Sequence, residues 1–226
     1  MNKFVLALTL SSALVSVAGS ANAGDVGLTV DAGTTGAGLH LIFATQMDLN
    51  ARVGANALNF KYAKSSSQSD YDFALKLQTI DALLDWFPTK GSGFRFTTGL
   101  AYNGNKVDYN MKVNSGSQYV VNGNTYSLAQ VGSIHGAVEF KKIAPYLGIG
   151  WTNVPASGKG WGFIADLGLM FQGTPNSTLV NSNCAATTAI CARLAVDLAA
   201  EKADVDDILG NFKTYPVMRM GASYTF

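Results

Sequence analysis

The last twelve residues, YPVMRMGASYTF (215–226), constrain the fold more than any other stretch of the chain. Apolar or aromatic residues occupy every second position from Pro216 to Phe226, and the residues between them are mostly small or polar, with Arg219 in the middle. Alternation with a period of two is the pattern of a β-strand whose two faces meet different surroundings. Because the polar set is small rather than long and charged, the pattern favours a strand with lipid outside and a crowded interior.

The N-terminus has the three parts of a secretory signal peptide. Lys3 is positively charged, residues 4–18 (FVLALTLSSALVSVA) are apolar, and Ala21-Asn22-Ala23 is a small-residue cleavage site. The apolar run is shorter than the ~20 residues that a membrane-spanning helix needs. We therefore expect a signal peptide over 1–23 and one mature domain over 24–226.

The composition of the chain agrees with an exported membrane protein. Charged residues are 14% of the chain and glycine is 24 of 226 residues, whereas soluble domains average about 25% charged residues. The net charge of +1 provides no basic surface for nucleic acid. After the signal peptide, no stretch reaches 18 apolar residues without charge or glycine, which excludes a helical span from the mature chain.

Eight segments have the alternation of strands: 27–43, 49–62, 71–87, 93–105, 126–140, 144–153, 160–173 and 215–226. Each is long enough to cross a bilayer. An open sheet in lipid would leave backbone groups at its edges unpaired, at a cost of several kcal/mol each. The predicted fold class is therefore all-β, an eight-stranded antiparallel transmembrane β-barrel.

The second and third segments change phase along their length. In the second, the apolar residues move from odd to even positions after Ala55. In the third, simple alternation from Phe73 to Leu77 places Asp81 on the lipid face. A bulge near residues 78–80 would turn Asp81 inward, and a position at the membrane interface would make its charge tolerable. The sequence leaves both alternatives open.

The connections predict which side of the membrane each lies on. Short connections at 44–48, 88–92 and 141–143 indicate periplasmic turns, and the polar segments 63–70, 106–125 and 154–159 indicate outer loops. The connection 174–214 is long, although the strand count makes it periplasmic. Within it, residues 192–212 are helix formers with an apolar stripe, and Gly210 is a stop signal. We predict one periplasmic helix before the last strand, with a disordered linker as the alternative.

The two cysteines, Cys184 and Cys191, lie seven residues apart in NCAATTAIC. An exported chain meets an oxidising compartment, which favours a disulfide over two free thiols. No further cysteine or histidine lies nearby to complete a zinc site. We therefore predict a Cys184–Cys191 disulfide, no metal and no cofactor.

Four stretches resemble one family: LLDWFPTKGSGFRFTTGLAYNGNK (83–106), IAPYLGIGW (143–151), WGFIADLGLMFQGTPNSTL (161–179) and the C-terminal strand. They are similar to small proteobacterial outer-membrane barrels of the OmpW-like and CarO-type (ornithine-uptake porin) kind. The resemblance implies an outer-membrane location and contact with membrane lipid and lipopolysaccharide. It also implies recognition by the barrel-assembly machinery through the aromatic end of the last strand, here Tyr224 and Phe226. It provides no solute-binding residues.

Five charged residues are predicted to point into the lumen: Arg52, Arg95, Glu139, Asp166 and Arg219. A charge buried alone is costly, so we expect Arg95 to pair with Glu139 and Arg219 with Asp166, in each case on neighbouring strands. The pairs could form an eyelet that selects solutes or a plug that fills the barrel. An eight-stranded lumen is only just wide enough for side chains, which favours the plug.

A hydrolytic site is the remaining possibility, because Ser133, His135 and Glu139 share one strand face. Side chains two residues apart on a strand lie ~6–7 Å apart, too far for a direct Ser–His hydrogen bond. We therefore expect no enzymatic activity. The function predicted is a minor channel or binding barrel for small solutes in a Gram-negative outer membrane. The alternatives are a closed structural barrel that displays its outer loops and, least favoured, a lipid-modifying enzyme.

Overall fold

The computed structural model describes residues 26–44, 48–65, 69–113, 118–127, 132–153 and 159–226. The predicted signal peptide lies outside these residues, as do parts of the predicted outer loops. Within the described ranges the chain forms thirteen strands and one helix. They are β1 (Val26–Gly33), β2 (Gly36–Ala44), β3 (Leu49–Ser65), β4 (Ser69–Trp86), β5 (Phe94–Asn103), β6 (Lys106–Val113), β7 (Gln118–Val121), β8 (Asn124–Ser127), β9 (Ser133–Glu139), β10 (Ile143–Thr152), β11 (Gly160–Phe171), β12 (Asn176–Ser182), α1 (Thr188–Leu209) and β13 (Thr214–Thr225).

Eight strands close into an antiparallel barrel, in the order β1-β2-β3-β4-β5-β10-β11-β13. The ring closes where β13 pairs with β1, with Thr225 opposite Gly27. This closed ring confirms the predicted fold class. The start of β1 and the end of β13 lie together at what we call the terminal end of the barrel, and the opposite end is the distal end.

The eight barrel strands are not the eight segments predicted from the sequence. Segment 27–43 is two strands, because the chain turns back at Thr34 and Thr35. Gly36 permits this hairpin with a φ of 101°, a backbone conformation that other residues rarely adopt. Segment 126–140, in turn, contributes β9, which is not one of the barrel strands. The two errors cancel, so the predicted number of strands is still correct.

A second sheet continues the barrel wall beyond the distal end. This distal sheet comprises the distal halves of β3 and β4 together with β6, β9 and β12. Strand β9 runs on into β10 without a reversal, since Glu139 lies opposite Lys106 and Ile143 lies opposite Tyr102. The turn predicted at 141–143 is therefore wrong.

The polarity of the wall inverts where the strands leave the barrel. In the barrel half of β4, Asp81 and Asp85 are buried inside while Leu84 and Trp86 are exposed outside. In the distal sheet the inner face is apolar, and the outer face carries ion pairs such as Lys76–Asp108. In a strand that crosses this boundary, the inward-facing positions therefore change from polar to apolar residues, while the residue-by-residue pairing with the neighbouring strand continues unchanged.

This inversion accounts for the phase changes in the second and third segments. Strands β3 and β4 pair residue for residue from Leu49–Trp86 to Ser65–Asp70, so there is no bulge. Leu77 is buried on the same face as Asp81. The lipid-facing placement of residues 73–77 was the error, and Asp81 is a lumen residue.

The predicted helix is present as α1, which ends at Leu209 with Gly210 as its C-terminal cap. It packs against β12 and β7, and its residues Leu194 and Leu198 join a small core with Met111 and Ile134. Because α1 precedes the distal start of β13, it lies at the opposite end of the barrel from the turn after β4. The predicted placement of the helix on the same side as turn 88–92 is therefore wrong. In the described part of the chain, no helix is long and apolar enough to cross a membrane.

Candidate functional site in the barrel lumen

The first group of charged lumen residues is centred on Asp166 of β11. Its carboxylate accepts hydrogen bonds from Arg52 Nη1 at 2.6 Å and from Arg95 Nη2 at 2.6 Å. Asp85 is the second carboxylate, 3.3 Å from Arg52 Nη2 and 3.5 Å from Arg95 Nε. The Thr97 hydroxyl donates to Asp85 at 2.6 Å. These four charged residues, the Asp166 network, join β3, β4, β5 and β11 across the lumen.

The second group is centred on Asp81 of β4. Arg219 Nη2 donates to Asp81 Oδ2 at 2.8 Å, and Asn56 Nδ2 donates to the same oxygen at 3.1 Å. His40 lies between two carboxylates, with Nδ1 2.7 Å from Asp31 Oδ2 and Nε2 3.2 Å from Asp81 Oδ1. Asp31, His40, Asp81 and Arg219 form what we call the Asp81 network, which joins β1, β2, β4 and β13.

The charges of the two networks balance if His40 is protonated. The three arginines and four aspartates leave one negative charge, which an imidazolium cancels. Both ring nitrogens of His40 face carboxylates, and only the protonated ring can donate from both. Arg219 Nη1 also approaches Nε2, but at 3.4 Å it is farther away than either carboxylate. We therefore assign His40 as a cation in the resting lumen.

Glycines on the inner face make room for these side chains. A Cβ on Gly54 would lie 2.1 Å from His40 Cδ2, and one on Gly150 would lie 2.5 Å from Asp166 Oδ1. Atoms cannot approach this closely without displacement. The high glycine content of the sequence is thus explained in part by the space that the charged residues occupy.

An apolar group of side chains adjoins the charged networks inside the barrel. Tyr146 packs there with five other buried residues, Leu83, Ala101, Ala144, Met170 and Val217. The Arg219 guanidinium lies 6.0 Å from the centre of the Tyr146 ring, within the range of a cation–π contact. Toward the distal end, Asn103 Nδ2 lies 3.5 Å from Gln172 Oε1. The charged networks are therefore part of a continuous packing of side chains inside the barrel.

The structure brings together four of the five predicted lumen residues but not in the predicted pairs. Arg52, Arg95 and Asp166 share one network, and Arg219 is in the other. Arg219 is the cross-strand neighbour of Asp166, yet its guanidinium extends to Asp81 instead. Neighbouring side chains on one inner face need not pair when partners across a narrow lumen are equally close.

Glu139, the fifth residue, is not in the lumen. It lies on the outer face of the distal sheet, where Lys106 Nζ is 3.2 Å from Glu139 Oε1 and the two side chains are 35% and 49% exposed. Hydrogen bonds from Lys106 to Asp108 and then to Glu139 raise the pKa of Lys106. The predicted Arg95–Glu139 pair is wrong. It assumed a turn at 141–143 that would bring Glu139 next to Arg95 at the start of β5, but β9 continues straight into β10.

The other predicted site residues lie away from the lumen. Cys184 and Cys191 form a disulfide at the start of α1. At the terminal end, the Tyr224 ring contacts both Trp161 and Phe226, with centroids 5.2 and 5.3 Å apart. This aromatic cluster lies where an interfacial belt would be expected in a membrane barrel.

Three lumen residues were missed from the sequence, namely Asp31, His40 and Asp85, and the inward placement of Asp81 was one of two alternatives left open. Asp81 and Asp85 are four residues apart in β4 and therefore lie on the same face of the strand. A prediction that either one faces the lumen would have placed the other there as well. His40 alternates with the apolar residues Leu39 and Leu41, which are exposed on the outer face. That alternation was the signal available for an inward histidine.

Fold and site together define a closed eight-stranded antiparallel β-barrel with an apolar exterior and a charged, packed interior. Among solved structures, the fold is similar to those of CarO2 and of CarO from Acinetobacter baumannii, each with a TM-score of 0.56. Sequence identity is 21% with CarO2 and 22% with CarO. Each match covers 89% of this chain and 98% of the CarO2 or CarO chain. At this level of identity the similarity concerns the fold. No protein-family model and no curated protein matches the chain.

Proposed function

We propose that the protein is a bacterial outer-membrane barrel that binds small solutes at its distal end and whose lumen is closed at rest. One observation carries the proposal: none of the eight charged lumen side chains is more than 4% exposed. Solvent-filled pores keep their charged linings wet. A lumen whose charges are dry and paired is filled by its own side chains.

The outer-membrane location rests on the exterior of the barrel and on the predicted signal peptide. Every barrel strand exposes large apolar side chains outward, for example Val30, Leu41, Val53, Leu84, Phe96, Leu147, Leu167 and Met218. Such a surface is stable against hydrocarbon and would aggregate in water. Lipid, lipopolysaccharide and the barrel-assembly machinery are therefore the proposed partners of this surface and of the terminal strand.

Closure of the lumen follows from the cost of opening it. A solute passing the Asp166 network must separate Asp166 on β11 from Arg52 on β3, because these two residues bridge opposite walls of the barrel. Leaving one buried charge uncompensated costs about 3–5 kcal/mol. Conduction therefore requires a rearrangement of the network, and the resting barrel is not a diffusion pore.

The solute site proposed is the uncovered half of the inner face of the distal sheet. On β6, β9 and β12 this apolar face is covered by α1, but on β3 the inward side chains of Leu58, Phe60 and Tyr62 are 43%, 52% and 54% exposed. A small amphiphile would extend the same apolar core. Its polar part would face the mouth of the barrel, where Thr35 and Asn56 lie.

Equilibrium binding to the protein in lipid nanodiscs tests this proposal with a panel of amino acids and small amphiphiles. We expect Phe60→Ser to weaken binding of an apolar member about tenfold, since burying a large apolar side chain contributes about 1.5–3 kcal/mol. Lys61→Ser is the matched control, because Lys61 is the next residue but lies on the opposite face. Equal affinities for the two variants would contradict the site.

A second candidate function is a closed barrel that presents its distal sheet to a macromolecular partner. The observation in its favour is that the sheet and α1 have a core of their own, separate from the barrel lumen. Absence of binding for every solute in the panel, with the wild-type barrel folded, would favour this candidate.

A further inference from the structure

A polar cluster on the outer face of the distal sheet has the geometry of a serine nucleophile with its base. Ser182 Oγ on β12 lies 2.9 Å from His135 Nε2 on β9, and His135 Nδ1 is hydrogen-bonded to Asn110 Oδ1 on β6. Ser133 Oγ is 2.9 Å from Ser182 Oγ. The three adjoining strands thus align a serine, a histidine and an asparagine in series.

The hydrogen bonds determine which nitrogen of His135 carries the proton. An amide oxygen only accepts, so Nδ1 must donate to Asn110. Nε2 of the neutral ring is then the free base that faces the Ser182 hydroxyl. This is the arrangement in which a base takes the proton of an attacking hydroxyl while a third residue holds the ring in place.

The spacing argument against a hydrolase concerned only Ser133 and His135. The separation expected for that pair was wrong, because Ser133 Oγ lies 3.4 Å from His135 Nε2, close enough for a long hydrogen bond. Ser182 comes from the neighbouring strand, where it is the cross-strand partner of Ser133. A single sequence gives no register between distant strands, so Ser182 could not be connected with His135 in advance.

The backbone around Ser182 is held in an unusual conformation. Asn183 follows it with a φ of 61°, and Gly132, opposite, has a φ of 77°. A Cβ on Gly132 would lie 2.2 Å from the carbonyl oxygen of Ser182. The Cys184–Cys191 disulfide then ties the chain to α1 directly after Asn183. Backbone held in this region is found disproportionately at functional sites.

The cluster is open to a substrate. Asn110, His135 and Ser182 are half-buried, and β12 is the edge strand of its sheet. Val180, the cross-strand neighbour of His135, is 50% exposed on the same face. A substrate would meet a polar centre with one apolar contact beside it, which suits a carboxylic ester with a small acyl group.

We infer that Ser182, His135 and Asn110 form an esterase site, separate from the lumen and independent of the proposed solute binding. Ser182 Oγ bonds to the ester carbonyl carbon and gives its proton to His135 Nε2. The bond to the alcohol then breaks, and the alcohol leaves with that proton. Water attacks the acyl-serine through the same nitrogen, releases the carboxylic acid and restores the Ser182 hydroxyl. The Ser133 hydroxyl is placed to donate to the oxyanion.

The test is labelling of the folded full-length mature protein by a fluorophosphonate probe. Peptide mass spectrometry identifies the modified residue, and turnover of p-nitrophenyl acetate is measured in parallel. We expect labelling at Ser182 and ester turnover that is lost in Ser182→Ala. His135→Gln should slow both by about 100-fold or more, the usual contribution of a general base. Ser133→Ala should still be labelled at Ser182 but more slowly, because the Ser133 hydroxyl donates to the oxyanion.

Asn110 acts through the histidine, so its variants distinguish positioning from a structural effect. Asn110→Ala should lose labelling, and Asn110→Asp, which keeps an oxygen that accepts from Nδ1, should restore it. Heat-modifiable migration on gels shows that each variant is folded. Absence of label at Ser182 in the folded wild type, or a labelling rate that His135→Gln leaves unchanged, would overturn the inference.

Discussion

Replacing Asp166 by asparagine should destabilise the barrel more than any single exchange of an exposed charge. The Asp166 carboxylate accepts bonds of 2.6 Å from both Arg52 and Arg95. Without its charge, two buried guanidinium groups share only Asp85. An uncompensated buried charge costs about 3–5 kcal/mol. With a urea dependence of about 2 kcal/mol per molar, the unfolding midpoint should fall by roughly 2 M.

The assay is urea unfolding in lipid vesicles, followed by tryptophan fluorescence and by migration of the folded form on gels. Glu139→Gln is the matched control, because this exposed pair with Lys106 contributes only about 0–1 kcal/mol. In the double variant Asp166→Asn, Arg95→Met, the positive charge of Arg52 is again matched by the negative charge of Asp85. This variant should therefore recover part of the lost stability. If Asp166→Asn and Glu139→Gln shift the midpoint equally, the reasoning about buried charge is refuted.

Three further changes test other parts of the structure. Gly54→Ala should destabilise the barrel by about 1–3 kcal/mol, because its Cβ would overlap the His40 ring, and thermal loss of the folded gel band measures this. The hydrogen bond from Tyr126 lowers the pKa of Asp197 on α1, so the stability it gives is present above the ordinary aspartate pKa of about 4 and lost as pH falls below it. The protection of α1 amides, measured against the intrinsic exchange rate at each pH, should therefore decrease in acid, and less so in Asp197→Asn. Deleting Phe226 should leave export intact and reduce the folded band in outer membranes; unchanged abundance would contradict its role in assembly.

The barrel was predictable because the parts of its strands that form the closed ring have a simple two-residue period. In β5, for example, Phe96, Leu100 and Tyr102 are exposed outside and Arg95 is buried inside, as alternation alone predicts. The same rule failed in β3 and β4. It assumes that apolar residues face outward along the whole strand, and Leu58 and Leu77 lie beyond the point where the polarity inverts.

The pairing of the lumen charges could not be obtained from strand order. Arg219 and Asp166 are direct neighbours on adjacent strands, but each finds its partner across the barrel. Which cross-lumen partners meet depends on the stagger of all eight strands. The hairpin at Thr34 and the continuous run from β9 into β10 both change that stagger. The sequence does not clearly signal the turn at Thr34, nor does it signal that the chain fails to turn between β9 and β10.

Single-channel recording of the wild-type protein in planar bilayers tests the central claim most directly, namely that the Asp166 and Asp81 networks close the lumen. The account predicts no steady conductance for the wild type. It predicts that Asp166→Asn, in any molecules that remain folded, gives openings above that baseline, since the ionic link from β11 to Arg52 and Arg95 is gone. A wild-type barrel with a steady ionic conductance, unchanged by Asp166→Asn, would contradict the claim.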